Sequence, residues 1–535
     1  MPAIISDQFR ILNAANFVAG VADTTQSYYT YLGLPNSGDF GAGYGTTDWN
    51  TNTPAPKDGF REYNDDYDTM IALKKLSTGD VKRMIRKYSW SGGTVFEMYK
   101  NNYTRSNLSP QTSSTNLYDA KYYIVNSQFK VYLCINNGQD PANPLGKQSL
   151  DEPTFTDLEP KAAGTSGDGY LWKYMYTINP SDIVKFDSID YIPVPDNWGD
   201  GDTTDVKNAS VDGKVETALI VNSGGGYQPI STTFNNIPIL GDGTGGKASV
   251  TVDAQGKVSD VTVTNGGVNY TRGVINFFPG APGSETGGPI VGLSAVGVGT
   301  TSVAEFEVVM PPPGGHGSDV YRELGAFRVL LYSRFENDAS NPDFIIGNDF
   351  ARIGVVKNPL TPSGSVLNSS RASALVGLKL QSLTPGGSVV NTTFKVDSPV
   401  YQTIGVGSTA VGYVASWDSA TAVLKIYNPV GLGSTAYGFR LNDFTPQIGV
   451  GGSYAVNGQS AGGTLGIDTS FGNVSTPGTA TTVGNALVQL GQSFVEGVAS
   501  PEIKKYSGDM LYIDNRAAIQ RSANQKEDIK IVLEF

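Results

Sequence analysis

The sequence predicts an α+β fold, predominantly β, organised as a discontinuous core that carries two small inserted all-β modules. Three observations lead there. The 535 residues include 65 Gly and 29 Pro with only 16% charged residues, a composition of short strands and tight turns rather than of disorder or a collagen repeat. The stretch Ile529 to Phe535 puts Ile529, Ile531, Leu533 and Phe535 on one face and Lys530, Val532 and Glu534 on the other, the period of a strand with one buried face. Composition shifts near residue 201 and again after Leu360, which divides the chain into core and insertions.

Residues 1–200 read as the first, α+β part of the core. Ser6-Asp7 can cap a short helix carrying Phe9 and Leu12. Ser27 to Leu34 is a strand ended by Pro35, and residues 36–66 form a polar loop containing Trp49. Tyr67 to Leu76 and Asp80 to Tyr88 are expected to be helical, the second with Asp80 as cap and with Val81, Met84 and Ile85 on one face. Tyr122 to Asn126 and Phe129 to Asn136 are close enough for a hairpin. In GDGYLWKYMYTINP, Gly167 to Pro180, an aromatic row of Tyr170, Trp172, Tyr174 and Tyr176 lines one strand face.

Residues 201–310 read as an inserted β module with a weak internal repeat. ALIVNSGGGYQPI (Ala218 to Ile230) and VTVTNGGVNYTRGVINF (Val261 to Phe277) share a β run, an Asn, glycines and a Tyr. The Asn-Gly turns supply positive-φ positions and each Tyr can pack back on the sheet. Residues 311–360 return to the core through the linker PPPGG, the strand Phe327 to Tyr332 and ARIGVVKNPL. Residues 361–484 form a second β-rich module, with nine charged residues between Arg371 and Asp468 and a hairpin turning at Asp418-Ser419. Residues 485–535 complete the core: partly helical to 505, then strands Met510–Ile513 and Ile529–Phe535 separated by Asp514-Asn515-Arg516 and a polar gap. A terminus on such a strand is expected to be built into a sheet. Insertions of this size cost a scaffold little closure entropy.

Charge and cysteine content narrow the function. A net charge of −12 repels phosphate backbones, so no general nucleic-acid binding is expected. Cys134 is the only cysteine, which rules out an intrachain disulfide and a Cys-based zinc site; its apolar surroundings, VYLCI, suit a buried thiol. No signal-peptide pattern and no run of about 18 apolar residues occurs, so no membrane insertion is expected, and the chain is assembled in cytoplasm or leaves it within a larger particle.

No catalytic, cofactor or metal site is expected. His316 is the only histidine and sits in PPPGGHGSD, where adjacent Ser318 and Asp319 do not make a triad. Asp65, Asp66 and Asp68 offer carboxylates for glycoside hydrolysis but directly precede an expected helix, where negative charge caps and is solvated. Asp338, Asp343 and Asp349 are widely spread. GDGTGG, Gly241 to Gly246, lacks the Lys-Ser/Thr ending of a phosphate loop. The most suggestive charge feature is Lys82, Arg83, Arg86 and Lys87 with Trp90, a solvated helix face or a docking surface for an acidic partner.

Several segments resemble one family. SGDMLYIDNR, the polar gap and IKIVLEF at the end look like the close of the baseplate wedge protein of T-even-type contractile-tailed phages, the product of gene eight. GDGYLWKYMYTINP, the YIPVP of Tyr191 to Pro195 and the strand ending Asn358-Pro359-Leu360 are similar to segments of that family at corresponding places. Arg86-Lys87 followed by Trp90 partly matches an arginine pair ahead of a tryptophan. The similarity covers about half the chain and leaves out both modules. It implies a two-domain wedge core and a homodimeric structural subunit of the virion, placed in the tail baseplate after assembly in host cytoplasm. The implied partners are other wedge subunits, with peripheral baseplate or fibre proteins reached through the insertions. The alternative from another class is a host-surface, glycan-binding or tailspike-like virion protein. A trimeric β-helix would need repeats along most of the chain, and two weak copies are present.

Overall fold

The computed structural model describes residues 6–35, 49–285, 287–295, 303–336, 349–383, 389, 393–396, 398–405, 408–427, 439–441, 455–456, 465–471, 480–483, 486–489, 492–520 and 525–535. Strand predominates, 40% against 11% helix. The chain divides into two compact units, each discontinuous. Unit 1 takes residues 1–17, 82–330 and 532–535; unit 2 takes 18–81 and 331–531.

Unit 1 is centred on an antiparallel sheet of Tyr123–Val125, Lys130–Asn137 and Tyr170–Thr177. The first two strands are the expected hairpin. The aromatic row of the third is buried, but so are Lys173 and Met175 on its other face, so this strand is covered on both sides. Lys173 tolerates burial because its ammonium sits 3.0 Å from Glu216 Oε1 and donates to Leu158 O. Cys134 is fully buried in the middle strand.

Residues 215–310 of unit 1 have a core of their own, from Val215 and Ile220 to Ile290 and Met310. Its main sheet runs in the order Val258–Asn265, Lys247–Val252, Thr232–Gly241, Gly273–Ile275. The repeated tyrosines pack as expected, and by one device used twice. Tyr227 Oη donates to Phe277 O at 3.0 Å and accepts from Ala304 N at 2.7 Å. Tyr270 Oη donates to Ile239 O at 2.8 Å and accepts from Gly246 N at 3.1 Å. The turns that bring both rings inward hold Gly226 at φ 79° and Gly267 at φ 62°, the left-handed region that a side chain disfavours.

The amino-terminal helix is Asp7–Ala22, sixteen residues rather than a short one. Ser6 caps it, accepting from Phe9 N at 3.3 Å. Phe9 and Leu12 are exposed, and Ile11 and Ala14 are buried. Within unit 1 the helix meets the end of the chain: Arg10 reaches Glu534 at 2.6 Å and also donates to Phe535 O, and the Phe17 and Phe535 rings lie 5.6 Å apart.

The strand Lys526–Glu534 belongs to a four-stranded sheet in the order Lys526–Glu534, Arg328–Glu336, Val81–Arg86, Tyr191–Pro193. Ile529 and Ile531 are buried as the alternation requires. Its direct partner is Arg328–Glu336, not a strand of the first two hundred residues.

Unit 2 holds a five-stranded sheet in the order Arg371–Ser373, Met70–Lys75, Tyr28–Gly33, Asp349–Lys357, Asp509–Gln520. Three sequence expectations are corrected here. The segment 67–76 is helical only to Thr69 and then becomes the strand Met70–Lys75. Asp514-Asn515-Arg516 does not end the strand that begins at Asp509; Asp514 and Asn515 pair with Ile353 and Arg352, and pairing with Asp349–Lys357 continues to Gln520 across two register shifts. Between 485 and 505, the described residues contain strands Ala486–Gln489 and Val498–Ala499 and no helix; Gly497 and the β-branched Val495 and Val498 disfavour one. The low-charge region forms a second sheet that includes Val376–Ser382, Pro399–Gly405, Ser408–Asp418 and Val423–Tyr427 around Leu378, Val414 and Ile426. Its hairpin turns after Asp418, which accepts from Ala420 N at 2.9 Å.

Candidate functional site

The basic stretch is a strand. Ser77–Asp80 forms a capping turn and Val81–Arg86 follows in extended conformation. Val81, Met84 and Ile85 have helical spacing, but a strand buried on both faces accommodates the same pattern, and Val81, Lys82, Met84 and Ile85 are all buried. The basic residues do not share one face. Lys82 Nζ lies 3.0 Å from Asp182 and 2.5 Å from Asp196. Arg83 lies 3.2 Å over the Tyr321 ring and donates to Asp196 O. Lys87 pairs with Asp187 at 2.7 Å, and Trp90 Nε1 donates to Ser149 Oγ at 3.0 Å. Of the five candidates, Arg86 alone is exposed. Most of this positive charge is therefore matched within unit 1.

His316 is not in an open linker. It is buried, with Nδ1 2.5 Å from Glu323 Oε1 and its ring edge-on to Tyr99 at 4.6 Å. Glu323 Oε2 accepts from Gly317 N at 2.8 Å, and Gly317 O accepts from Trp198 Nε1. Asp319 caps the turn Val320–Glu323 through Tyr321 N and Arg322 N. His316 and Asp319 are thus committed to local structure.

The carboxylate cluster is also relocated. Asp65, Asp66 and Asp68 lie inside the helix Phe60–Thr69, not ahead of one. Asp66 is fully buried against Arg352, 3.1 Å away and equally buried, and Arg352 donates to Thr69 Oγ1 at 2.7 Å. Asp68 accepts from Tyr506 Oη at 2.6 Å. Asp338 and Asp343 lie outside the described residues, and Asp349 starts the strand Asp349–Lys357. In GDGTGG, Asp242 accepts from Thr271 N and Arg272 N, which ties the loop to the turn after Tyr270.

Unit 1 holds a cleft of about 550 Å³ that sequence reading missed. Its aromatic lining is Tyr99, Tyr103, Tyr118 and Tyr270, and Pro311–Pro313 line it too. Three devices position these groups. Glu97, buried beside them, accepts from Gln111 N, Thr112 N and Lys121 N and so fixes the loop around Tyr99, Lys100 and Asn101. Asp212 Oδ1 accepts from Gly314 N at 2.7 Å, tying the module to the proline run. Arg322 Nε donates to Gln8 at 2.7 Å, and Tyr118 Oη donates to Arg322 O at 2.5 Å.

Most polar atoms here already have partners. Lys100 pairs with Glu307 at 2.8 Å; the hydroxyls of Tyr103 and Tyr270 donate to Met98 O and Ile239 O. The Tyr99 hydroxyl is different: the residue is only 4% exposed, and its oxygen forms no hydrogen bond among the described residues. Burial, reinforced by the Glu323 charge, raises its pKa, so it remains a neutral donor. Burial and then Asp7 push Tyr118 up to about 12. Residues from near positions 8, 100, 118, 212, 270, 312 and 322 meet in this cleft, and no local motif announces such a meeting.

Among the described residues no helix is long and apolar enough to cross a membrane, and no group of three or more His, Cys, Asp and Glu is arranged to hold a metal ion. Neither protein-family models nor curated proteins give a match to this chain.

Proposed function

We propose that this chain is a structural subunit of the baseplate wedge of a contractile phage tail, a two-domain homodimeric connector that holds other wedge proteins in register. The observation that carries the reading is how the family-like segments are used. The closing segments SGDMLYIDNR and IKIVLEF lie in strands paired with Asp349–Lys357 and Arg328–Glu336, and the first of these partners contains most of ARIGVVKNPL. GDGYLWKYMYTINP supplies a strand of unit 1 buried at six of its eight positions. The segments of resemblance are therefore the framework, and the stretches without resemblance build sheets with cores of their own.

On this reading the protein works without catalysis. Sheets closed by distant pieces of chain are stiff elements that pass displacement to their neighbours when the baseplate changes shape. The two β-rich modules contact peripheral baseplate or fibre proteins. Arg86, exposed on an otherwise matched basic strand, belongs to a wedge contact. Light scattering on the purified chain is the test. A particle of twice 56.7 kDa supports the connector, and a heat-resistant trimer replaces it with a spike. Deletion of residues 201–310 should weaken assembly or adsorption; unchanged assembly and adsorption would remove the role given to that module.

A further inference from the structure

The cleft of unit 1 has the chemistry of a ligand site that the connector role does not use. Its groups fall into three kinds. Tyr103 and Tyr270 have their hydroxyls turned into the protein, so what they offer the cleft is ring carbon. Charges of both signs stand together: Lys100 and Arg322 against Asp212, Asp319 and Glu323, each held by at least one protein partner. Two positive groups against three negative ones give an anion no net attraction. The third kind is the Tyr99 hydroxyl, a donor on a residue more than nine-tenths buried, lining the cleft and without a protein acceptor. That oxygen is not among the enclosed unpartnered atoms of the described residues, so an acceptor lying in the cleft that Tyr99 lines can reach it.

We propose that this cleft binds a neutral, polyhydroxylated ligand of disaccharide size, with the Tyr99 hydroxyl and Asn101 as direct hydrogen-bonding partners. A sugar ring presents apolar C–H faces to aromatic carbon and hydroxyls that both donate and accept. That matches tyrosine and proline walls interleaved with paired charges, whereas a purely apolar ligand would leave the polar groups uncompensated. A volume of about 550 Å³ admits two hexose rings and falls within the range of small-molecule sites. The cleft is assembled from the core and the 201–310 module together, since Asp212, Tyr270 and Thr271 come from the module and Tyr99, Lys100 and Asn101 from the core.

Ligand-observed NMR by saturation transfer on the full chain tests this, with lactose, maltose and N,N′-diacetylchitobiose as neutral probes and inorganic phosphate and sialyllactose as anionic ones. The expected result is transfer to the carbon-bound protons of at least one neutral disaccharide and none to sialyllactose, with phosphate failing to compete. Tyr99→Phe keeps the ring and its packing and should weaken binding about tenfold, the loss of one hydrogen bond to a buried group. Asn101→Trp, at an exposed position on the rim, should abolish binding while leaving the fold intact. Dextran as competitor separates two sources of the same chemistry: displacement marks a surface polysaccharide, and its absence marks a free sugar. No transfer to any neutral probe at millimolar concentration would overturn the proposal. So would preference for the anionic probes, or undiminished binding in both variants. A baseplate dimer that binds no sugar would sink this inference alone, and a sugar-binding trimer would sink the wedge reading alone.

Discussion

The two compact units differ in the electrostatics of their closure. Unit 1 buries the ion pair Lys173–Glu216, but it seats its module and its chain end with neutral hydroxyls and half-exposed ion pairs. Tyr227 and Tyr270 each bridge a backbone N–H and a carbonyl, and Glu534, 47% exposed, pairs with Arg10 and Arg328 at 2.6 and 2.9 Å. Unit 2 gathers its pieces with buried charge. Asp66 and Arg352 are both removed from water, Asp68 accepts from Tyr506, and Tyr67 Oη donates to Ser507 O at 2.7 Å. The lesson concerns tolerance. Surface pairs contribute little and are screened by salt, whereas a buried pair is neutral to stability only while both partners are present. Unit 2 should therefore be the more brittle toward single substitutions at its closure.

The sharpest way to break this comparison is Asp66→Ala. It strands the Arg352 guanidinium in the interior and should destabilise unit 2 by about 3–5 kcal/mol, read by urea unfolding. A loss below about 1 kcal/mol would make the pair no different from a surface one. Next come Tyr227→Phe and Tyr270→Phe. Each removes a hydroxyl that serves two buried backbone groups and should cost about 1–3 kcal/mol, with amide exchange quickening at Ala304 and Gly246 respectively. If both cost nothing, the tyrosine device of the repeat is packing alone.

Smaller effects should follow at the surface. Glu534→Gln should cost no more than about 1 kcal/mol and lose that difference in high salt. The same site has a pH signature. Partial burial pushes Glu534 upward, but Arg328 and Arg10 outweigh it and hold the carboxyl below its usual range. Hydrogen bonding to Arg334 similarly lowers Asp528 of unit 2, against some desolvation. A carboxyl depressed on folding contributes stability that is fully present above its unfolded pKa, about 4, and is lost as pH falls through its folded value. Melting temperature should thus fall less steeply below about pH 4 in Asp528→Asn than in the parent chain. Equal slopes would mean that this pair makes no net contribution.

The same contrast explains what the sequence revealed. Elements whose signal is local were legible: the hairpin Tyr123–Val125 with Lys130–Asn137, the aromatic strand Tyr170–Thr177, the alternation around Ile529 and Ile531, and the repeated tyrosine turns. Each is set by period or turn chemistry within about twenty residues. Val81–Arg86 was misread because a strand buried on both faces has no period of two to display. Met70–Lys75 was misread because Met, Ala, Leu and Lys favour helix locally while the sheet beside Tyr28–Gly33 demands a strand. The buried charges and the cleft were illegible for a different reason. Asp66 needs Arg352, and Tyr99 meets Tyr270 and Arg322 only after the chain has folded. A charged side chain carries no mark in the sequence of the partner it will find.

A map of the tail particle with this chain located in it is the most direct measurement of the central claim. The connector reading predicts paired copies within the baseplate wedge, with the strands around Arg328–Glu336 and Lys526–Glu534 inside the ordered framework and the 201–310 module at its periphery. A chain found on the capsid, or as a threefold spike projecting from the tail, would contradict it.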